Sequence, residues 1–195
     1  KRYGVPVLHD AAHSFGSFYK GRPIGNQHDY TMFSFDPVKT ITCIDGGAII
    51  VKGDDNLKNL QAKRLIGMTQ PAERMYSNAR AWTYNIEALG YRYHLANLHA
   101  AIGISQIKKL DDIRSSRQKT CIKYYEALKD ASIIHAPKGD FQQVNPFLYY
   151  VHVLDGRRDE FRSFLLARGV DTGIHWQAGH DFSYFSECKR GSLEV

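Results

Sequence analysis

Long apolar runs, closely spaced cysteines and blocks of like charge are all missing from this sequence, and each absence narrows what the chain can be. No stretch approaches the roughly 18 apolar residues of a membrane-spanning helix. The opening residues, Lys1 to Val7, lack the apolar core of a signal peptide. Cysteine occurs only at Cys43, Cys121 and Cys188. An odd count at such wide spacing argues against a disulfide framework, a zinc pair and a CxxC redox motif, so a reducing cytoplasm is the expected setting. Lys and Arg number 26 against 20 Asp and Glu, a formal charge of +6. The basic residues are scattered rather than blocked, which does not indicate nucleic acid, although the excess suits a phosphate-bearing partner. There is no internal repeat and no low-complexity tract.

What is present is an ordinary globular composition: 195 residues, 43% hydrophobic and 24% charged. That is enough chain for a real core, in one medium domain or two small ones. Val5 to His9 reads as a short buried strand that arrives with almost nothing before it and no initiator Met. A buried strand needs neighbours on both sides, so the chain reads as the middle of a longer protein.

Phe18 to Ile24 (FYKGRPI) reads as a turn or small hairpin around Gly21 and Pro23. Tyr30 to Phe35 and Ala48 to Lys52 have strand composition. Asp54 or Asp55 is placed to cap a helix reaching about Ile66, and Gly67 to Gly90 reads as a long loop. Asn97 starts a helical spacing that continues to Leu128, long enough to link two domains. Phe147 to Leu154 then reads as a strand, Asp159 to Arg168 as a helix and Gly169 to Thr172 as another strand, a second β-α-β unit.

The densest group of chemistry-bearing residues is Asp10-Ala-Ala-His13, then Ser34-Phe-Asp-Pro-Val-Lys39, then Asp45-Gly46-Gly47. Asp10 stands at the carboxyl end of an expected strand, where α/β proteins bind ligands. A carboxylate there is also a common helix N-cap. Lys39 is flanked by FSFDPV and ITCIDGGAII. Desolvation by such apolar neighbours makes a lysine a nucleophile or Schiff-base former. Ser34 offers a hydroxyl to a phosphate oxygen, or is a plain strand serine. A lysine, a carboxylate and a hydroxyl are the parts that pyridoxal phosphate needs for its aldehyde, ring nitrogen and phosphate.

The segments HDAAHSFGSFYKGRPIG, MFSFDPVKTITCIDGGAIIV, LGYRYHLANLHAAIGISQIKKLDDI and GVDTGIHWQAGH occur in that order. Together they resemble the DegT/DnrJ/EryC1/StrS family of pyridoxal-phosphate sugar aminotransferases. The resemblance implies an α/β fold of the fold-type I, aspartate-aminotransferase kind. Residues 1–112 would be the C-terminal portion of the cofactor-binding large domain, and 113–195 a linking helix with part of the small domain. It implies that Lys39 forms the internal aldimine and that Asp10 pairs with the pyridinium nitrogen. Ala12 would pack on the cofactor ring and His13 would lie near its phenolic oxygen. Ser34 would bond the phosphate. Arg92 would reach the phosphate held by the other subunit of a homodimer with a shared active site.

The implied reaction moves an amino group from an amino acid such as glutamate to a nucleotide-linked keto sugar, with the 4-keto position expected. An amino-cyclitol aminotransferase and a non-catalytic regulatory protein of the same fold are the alternatives. Asp36 stands where His is common, and Ile44-Asp45, His94 and Asn97 also depart from the family pattern, which bears on substrate choice. Members that dehydrate the sugar carry His in place of the lysine, so Lys39 points to amino transfer.

His175, Trp176 and His180, in HWQAGH, resemble the small-domain segment that closes over the active site, where they would touch substrate or pack. The two histidines lack helical spacing and a third ligand, so no metal site is expected. Arg74, Tyr76, Arg80 and Trp82 read either as a basic-aromatic lip for a nucleotide diphosphate or as a solvated loop face.

Overall fold

A computed structural model describes residues 3–68, 85–188 and 191. The backbone divides into two compact units. The first comprises Lys1–Asp130 and Ala136–Tyr150, the second Ala131–His135 and Val151–Val195. The long helical stretch therefore belongs with the first unit as far as Asp130, beyond the 112/113 boundary expected from the sequence.

The first unit is built on strands β1 (Leu8–Asp10), β4 (Tyr30–Ser34) and β5 (Gly47–Val51), in the order β1-β4-β5. β1 runs parallel to β4, with Asp10 opposite Met32, and β5 runs antiparallel to β4. β4 alternates in burial, with Thr31 and Phe33 inside, as a half-buried strand should. The expected burial of β1 is not found: Val5, Val7 and Leu8 are exposed. The hydrogen bonds of β1 run to β4 on one side, and its outer apolar side chains have no cover from the described residues.

Between β1 and β4 lies a hairpin of β2 (Phe18–Tyr19) and β3 (Arg22–Pro23). Its turn residues Lys20 and Gly21 both have positive φ, the conformation a tight two-residue hairpin requires. Helix α1 (Asp54–Lys63) is preceded by Gly53 at the cap position, not by an aspartate. Asp54 and Asp55 instead fill the first turn, where negative charge complements the helix dipole. The helix ends before Ile66, because the Gly67 N–H turns back to the Ala62 carbonyl. Of the expected loop, residues 69–84 lie outside the described residues. Its flanks are paired, Met68 with Ile86 and Leu65 with Arg92.

The helix expected from Asn97 to Leu128 is two: α2 (Asn97–Ile107) and α3 (Leu110–Leu128). The Lys109 N–H closes a tight turn on Gln106, and Lys109 itself leaves helical geometry with ψ near 0°. Asp111 and Asp112 then sit in the first turn of α3, where they favour a fresh start. Gly103 lets α2 approach the core closely, since a Cβ there would lie 2.5 Å from Cys43 Sγ.

The strand expected over Phe147–Leu154 is reduced to β7 (His152–Val153), paired with β6 (Ile134–His135) in the second unit. The carbonyls of Pro146 and Phe147 accept hydrogen bonds from Arg117 Nη1 instead of from a partner strand. Helix α4 (Arg158–Leu166) follows as expected. No strand forms at Gly169–Thr172: Gly169 takes φ 77°, and the Val170 N–H bonds the Leu165 carbonyl, spending the segment on the helix terminus.

Candidate active site

Asp10 ends β1, and Ser34 ends the parallel strand β4, so both stand at carboxyl ends of the sheet. No helix follows Asp10, which removes the helix-cap reading. Its Oδ1 accepts the Ala12 N–H at 3.0 Å, and the Ala11 N–H bonds the Met32 carbonyl at 2.9 Å. These bonds turn the chain sharply after β1 and lead it through half-buried Ala12 to His13. Ser34 Oγ accepts the Asp36 N–H at 3.4 Å.

Lys39 is carried by a loop closed upon itself. The Phe35 N–H bonds the Gly46 carbonyl at 2.8 Å, and the Cys43 N–H bonds the Phe35 carbonyl at 2.9 Å. Asp36 makes the turn inside it, its Oδ1 accepting the Val38 N–H and its carbonyl accepting the Lys39 N–H. The loop is anchored by Thr40, Ile41 and Cys43, all buried. Burial pushes the Cys43 thiol above its ordinary pKa, so it is a packing residue. Of the apolar residues around Lys39 in sequence, Ile41 and Cys43 go to the core while Val38 and Ile44 are exposed, and Lys39 is half-buried rather than enclosed.

The Lys39 side chain meets His13. Its Nζ lies 3.0 Å from His13 Nε2, so with the imidazole proton on Nδ1 the ammonium donates to Nε2. The His13 ring stacks on Phe147 at 3.9 Å between centroids and 15° between planes. Lys39 Nζ lies 5.3 Å from the centre of the same Phe147 ring. Behind this group Phe15 packs at steep angles against Phe33 and Phe35, tying the turn after β1 to the end of β4 where the Lys39 loop begins.

Asn145, Arg117 and Phe147 escaped the sequence reading. Asn145 is completely buried; its Nδ2 donates to the Phe15 carbonyl and its N–H to Ser17 Oγ. An Asn-Pro pair marks a turn, and that was the available signal that the aromatic run after it would not continue as a plain strand.

Arg92 is exposed, on the segment that pairs with residues around Leu65. Among the described residues no contact joins it to the Lys39 group. His175, Trp176 and His180 lie in the second unit and are exposed. His175 sets its edge against neighbouring Trp176, and His180 Nε2 lies 3.4 Å from Asp181 Oδ1. Among the described residues no three His, Cys, Asp or Glu side chains are grouped to hold a metal. Arg74, Tyr76, Arg80 and Trp82 lie outside the described residues.

A family model for DegT/DnrJ/EryC1/StrS aminotransferases matches residues 1–194. The chain belongs to that family. Spr1654 of Streptococcus pneumoniae, described as a sugar aminotransferase and solved in its PMP form, is 25% identical, with a TM-score of 0.80 over 93% of this chain and 48% of that one. It is also solved in a PLP form. The aminotransferase TlmJ from Streptoalloteichus hindustanus is 25% identical, with a TM-score of 0.84 over 98% of this chain and 50% of that one. PseC of Helicobacter pylori, an aminotransferase of pseudaminic acid biosynthesis, shares the fold at 19% identity, with a TM-score of 0.86 over 99% of this chain and 51% of that one. The chain thus spans about half the length of these proteins. The architecture is that of the fold-type I transferases, and the family is pyridoxal-phosphate-dependent.

The donor set of the first unit fits that cofactor. Lys39 would present an amine to the aldehyde, Asp10 a carboxylate to the ring nitrogen and Ser34 a hydroxyl to the phosphate. All three stand on or beside the strand ends of one sheet.

Proposed function

We propose that this chain is the core of an aminotransferase that moves an amino group from an amino acid, glutamate above all, to the keto group of a nucleotide-linked sugar. The observation that carries this reading is the meeting of the Lys39 amine with His13 beyond the strand that ends in Asp10. The sugar class is supported by the family and by Spr1654, and the basic excess of +6 suits a diphosphate-linked substrate.

Pyridoxal phosphate, when bound, supplies the aldehyde that takes up the amino group and the ring that draws electrons from the reacting carbon. The chain supplies the rest. Asp10 would hold a proton on the pyridine nitrogen through a charge-assisted hydrogen bond. Ser34 Oγ would donate to a phosphate oxygen, Ala12 would pack on the ring face and His13 would attend its phenolic oxygen. Lys39 Nζ would act as general base toward the donor's α-carbon and then as general acid toward the cofactor's aldehyde carbon. Trp176, with His175 and His180, would contact the sugar, the role the family resemblance implies for their segment. The amino donor leaves as its keto acid, so the two half-reactions alternate.

Incubating the protein with pyridoxal phosphate, glutamate and a panel of keto-sugar nucleotides should yield an amino sugar and 2-oxoglutarate in equal amounts, with 4-keto sugars the best acceptors. A keto-inositol as the sole acceptor would replace the sugar reading with the cyclitol one. Absence of transfer to every acceptor by a cofactor-loaded protein would end the enzymatic reading.

The same proposal makes the enzyme a homodimer in which Arg92 of one protomer serves the phosphate beside Lys39 of its partner. Its guanidinium is exposed and suits a phosphate in charge and geometry. Lys39→Ala and Arg92→Ala, each inactive alone, should recover activity when mixed and refolded, with about one site in four intact on random pairing. No recovery despite subunit exchange would place Arg92 in its own subunit's chemistry or outside it. The expected setting is the cytoplasm; no helix among the described residues is long and apolar enough to cross a membrane.

A further inference from the structure

Phe147 lies far from Lys39 in sequence and is held beside it by a dedicated brace. Arg117, on α3, donates to the carbonyls of Pro146 and Phe147, both at 2.9 Å. Two residues before Phe147, Asn145 is pinned to the turn that carries His13, through the Phe15 carbonyl at 3.0 Å and Ser17 Oγ at 2.9 Å. The ring so placed is half-buried, and it faces an imidazole and an ammonium-bearing side chain rather than the aliphatic core.

An imidazole on a turn has a broad torsional well about its ring bond. A near-parallel stack at 3.9 Å removes that freedom and fixes the direction in which Nε2 points. Nε2 points at Lys39 Nζ. The Lys39 ammonium lies 5.3 Å from the centre of the same ring, near the outer limit of a cation's attraction to an aromatic face, so the path through His13 dominates.

We infer that Phe147 is a positioning residue for Lys39: its ring orients His13, and His13 in turn aims the amine at the strand ends where cofactor binds. This rests on the proposed cofactor reading for its consequence, though not for its geometry. Phe147 acts through His13, so the two positions should be coupled rather than independent.

The test follows cofactor titration by absorbance and, after borohydride reduction, the fraction of pyridoxyl label on Lys39 by peptide mass. Phe147→Leu should weaken binding and labelling by roughly three- to tenfold, the worth of one aromatic stack. Phe147→Tyr, which keeps the ring, should stay within about twofold of native. His13→Ala should resemble Phe147→Leu, and the double variant should be no worse than His13→Ala alone. Native-like labelling in Phe147→Leu, loss in Phe147→Tyr equal to that in Phe147→Leu, or multiplying losses in the double variant would each overturn the inference. Phe147→Met keeps volume without a ring face and replaces Phe147→Leu if that variant does not fold. If native protein takes no label at Lys39, the cofactor reading fails by itself. The rate at which trinitrobenzenesulfonate modifies Lys39 then serves as readout. A rate altered in Phe147→Leu and native in Phe147→Tyr upholds the positioning role, and equal rates in all three refute it.

Discussion

The corner around Lys39 and the stretch around His175 carry similar residues, histidines beside aromatic rings, and hold them by different means. In the first, the partners are distant in sequence: His13 and Lys39 are 26 residues apart, and Asn145 reaches back 130 residues to Phe15. In the second, His175 meets adjacent Trp176 and His180 meets adjacent Asp181. Contacts between sequence neighbours leave the rest of the chain free, whereas long-range contacts can form only when the whole unit is folded. A site that must hold several groups in register needs long-range contacts. The difference marks the Lys39 corner as the preorganised part of the first unit.

The largest effect that would break this contrast belongs to Asp10. Asp10→Asn should retain cofactor but raise the barrier to amino transfer by about 2–4 kcal/mol, because an amide cannot keep the pyridine nitrogen protonated. Near-normal turnover would reduce Asp10 to the residue that turns the chain at Ala12. At the small end, Trp176→Ala and His180→Ala should change thermal stability by no more than about 0.5 kcal/mol, as exposed residues with local contacts do. Their effect should fall on KM for the sugar, leaving pyridoxyl labelling of Lys39 untouched. A large loss of stability in either would show that the second region is also held by long-range packing.

Much of the corner was legible in the sequence, for identifiable reasons. Strand composition marked β4 and β5, and Gly21 marked the hairpin, because local backbone preferences agree with the fold there. Asp10, His13, Ser34 and Lys39 stand out in the sequence because they end or follow strand-like segments, and the structure brings His13 and Lys39 together. Their partner Phe147 was not. Its neighbours Leu148 to Val153 have strand composition, and tertiary bonds of Arg117 and Asn145 hold the start of the run away from a strand. The helix break at Lys108–Lys109 was hidden for a similar reason, since lysine is a good helix former and the stop is a matter of geometry. The burial of β1 was overestimated because an apolar run says what a strand prefers to contact, not what covers it.

The central claim is that Lys39 is the residue that carries the cofactor. Native protein loaded with pyridoxal phosphate, reduced with borohydride and digested should carry the pyridoxyl mass on the peptide containing Ser34 to Lys39. Lys39→Ala, treated alike, should carry none. The label on another lysine, or its absence from protein that has demonstrably bound cofactor, would contradict the account.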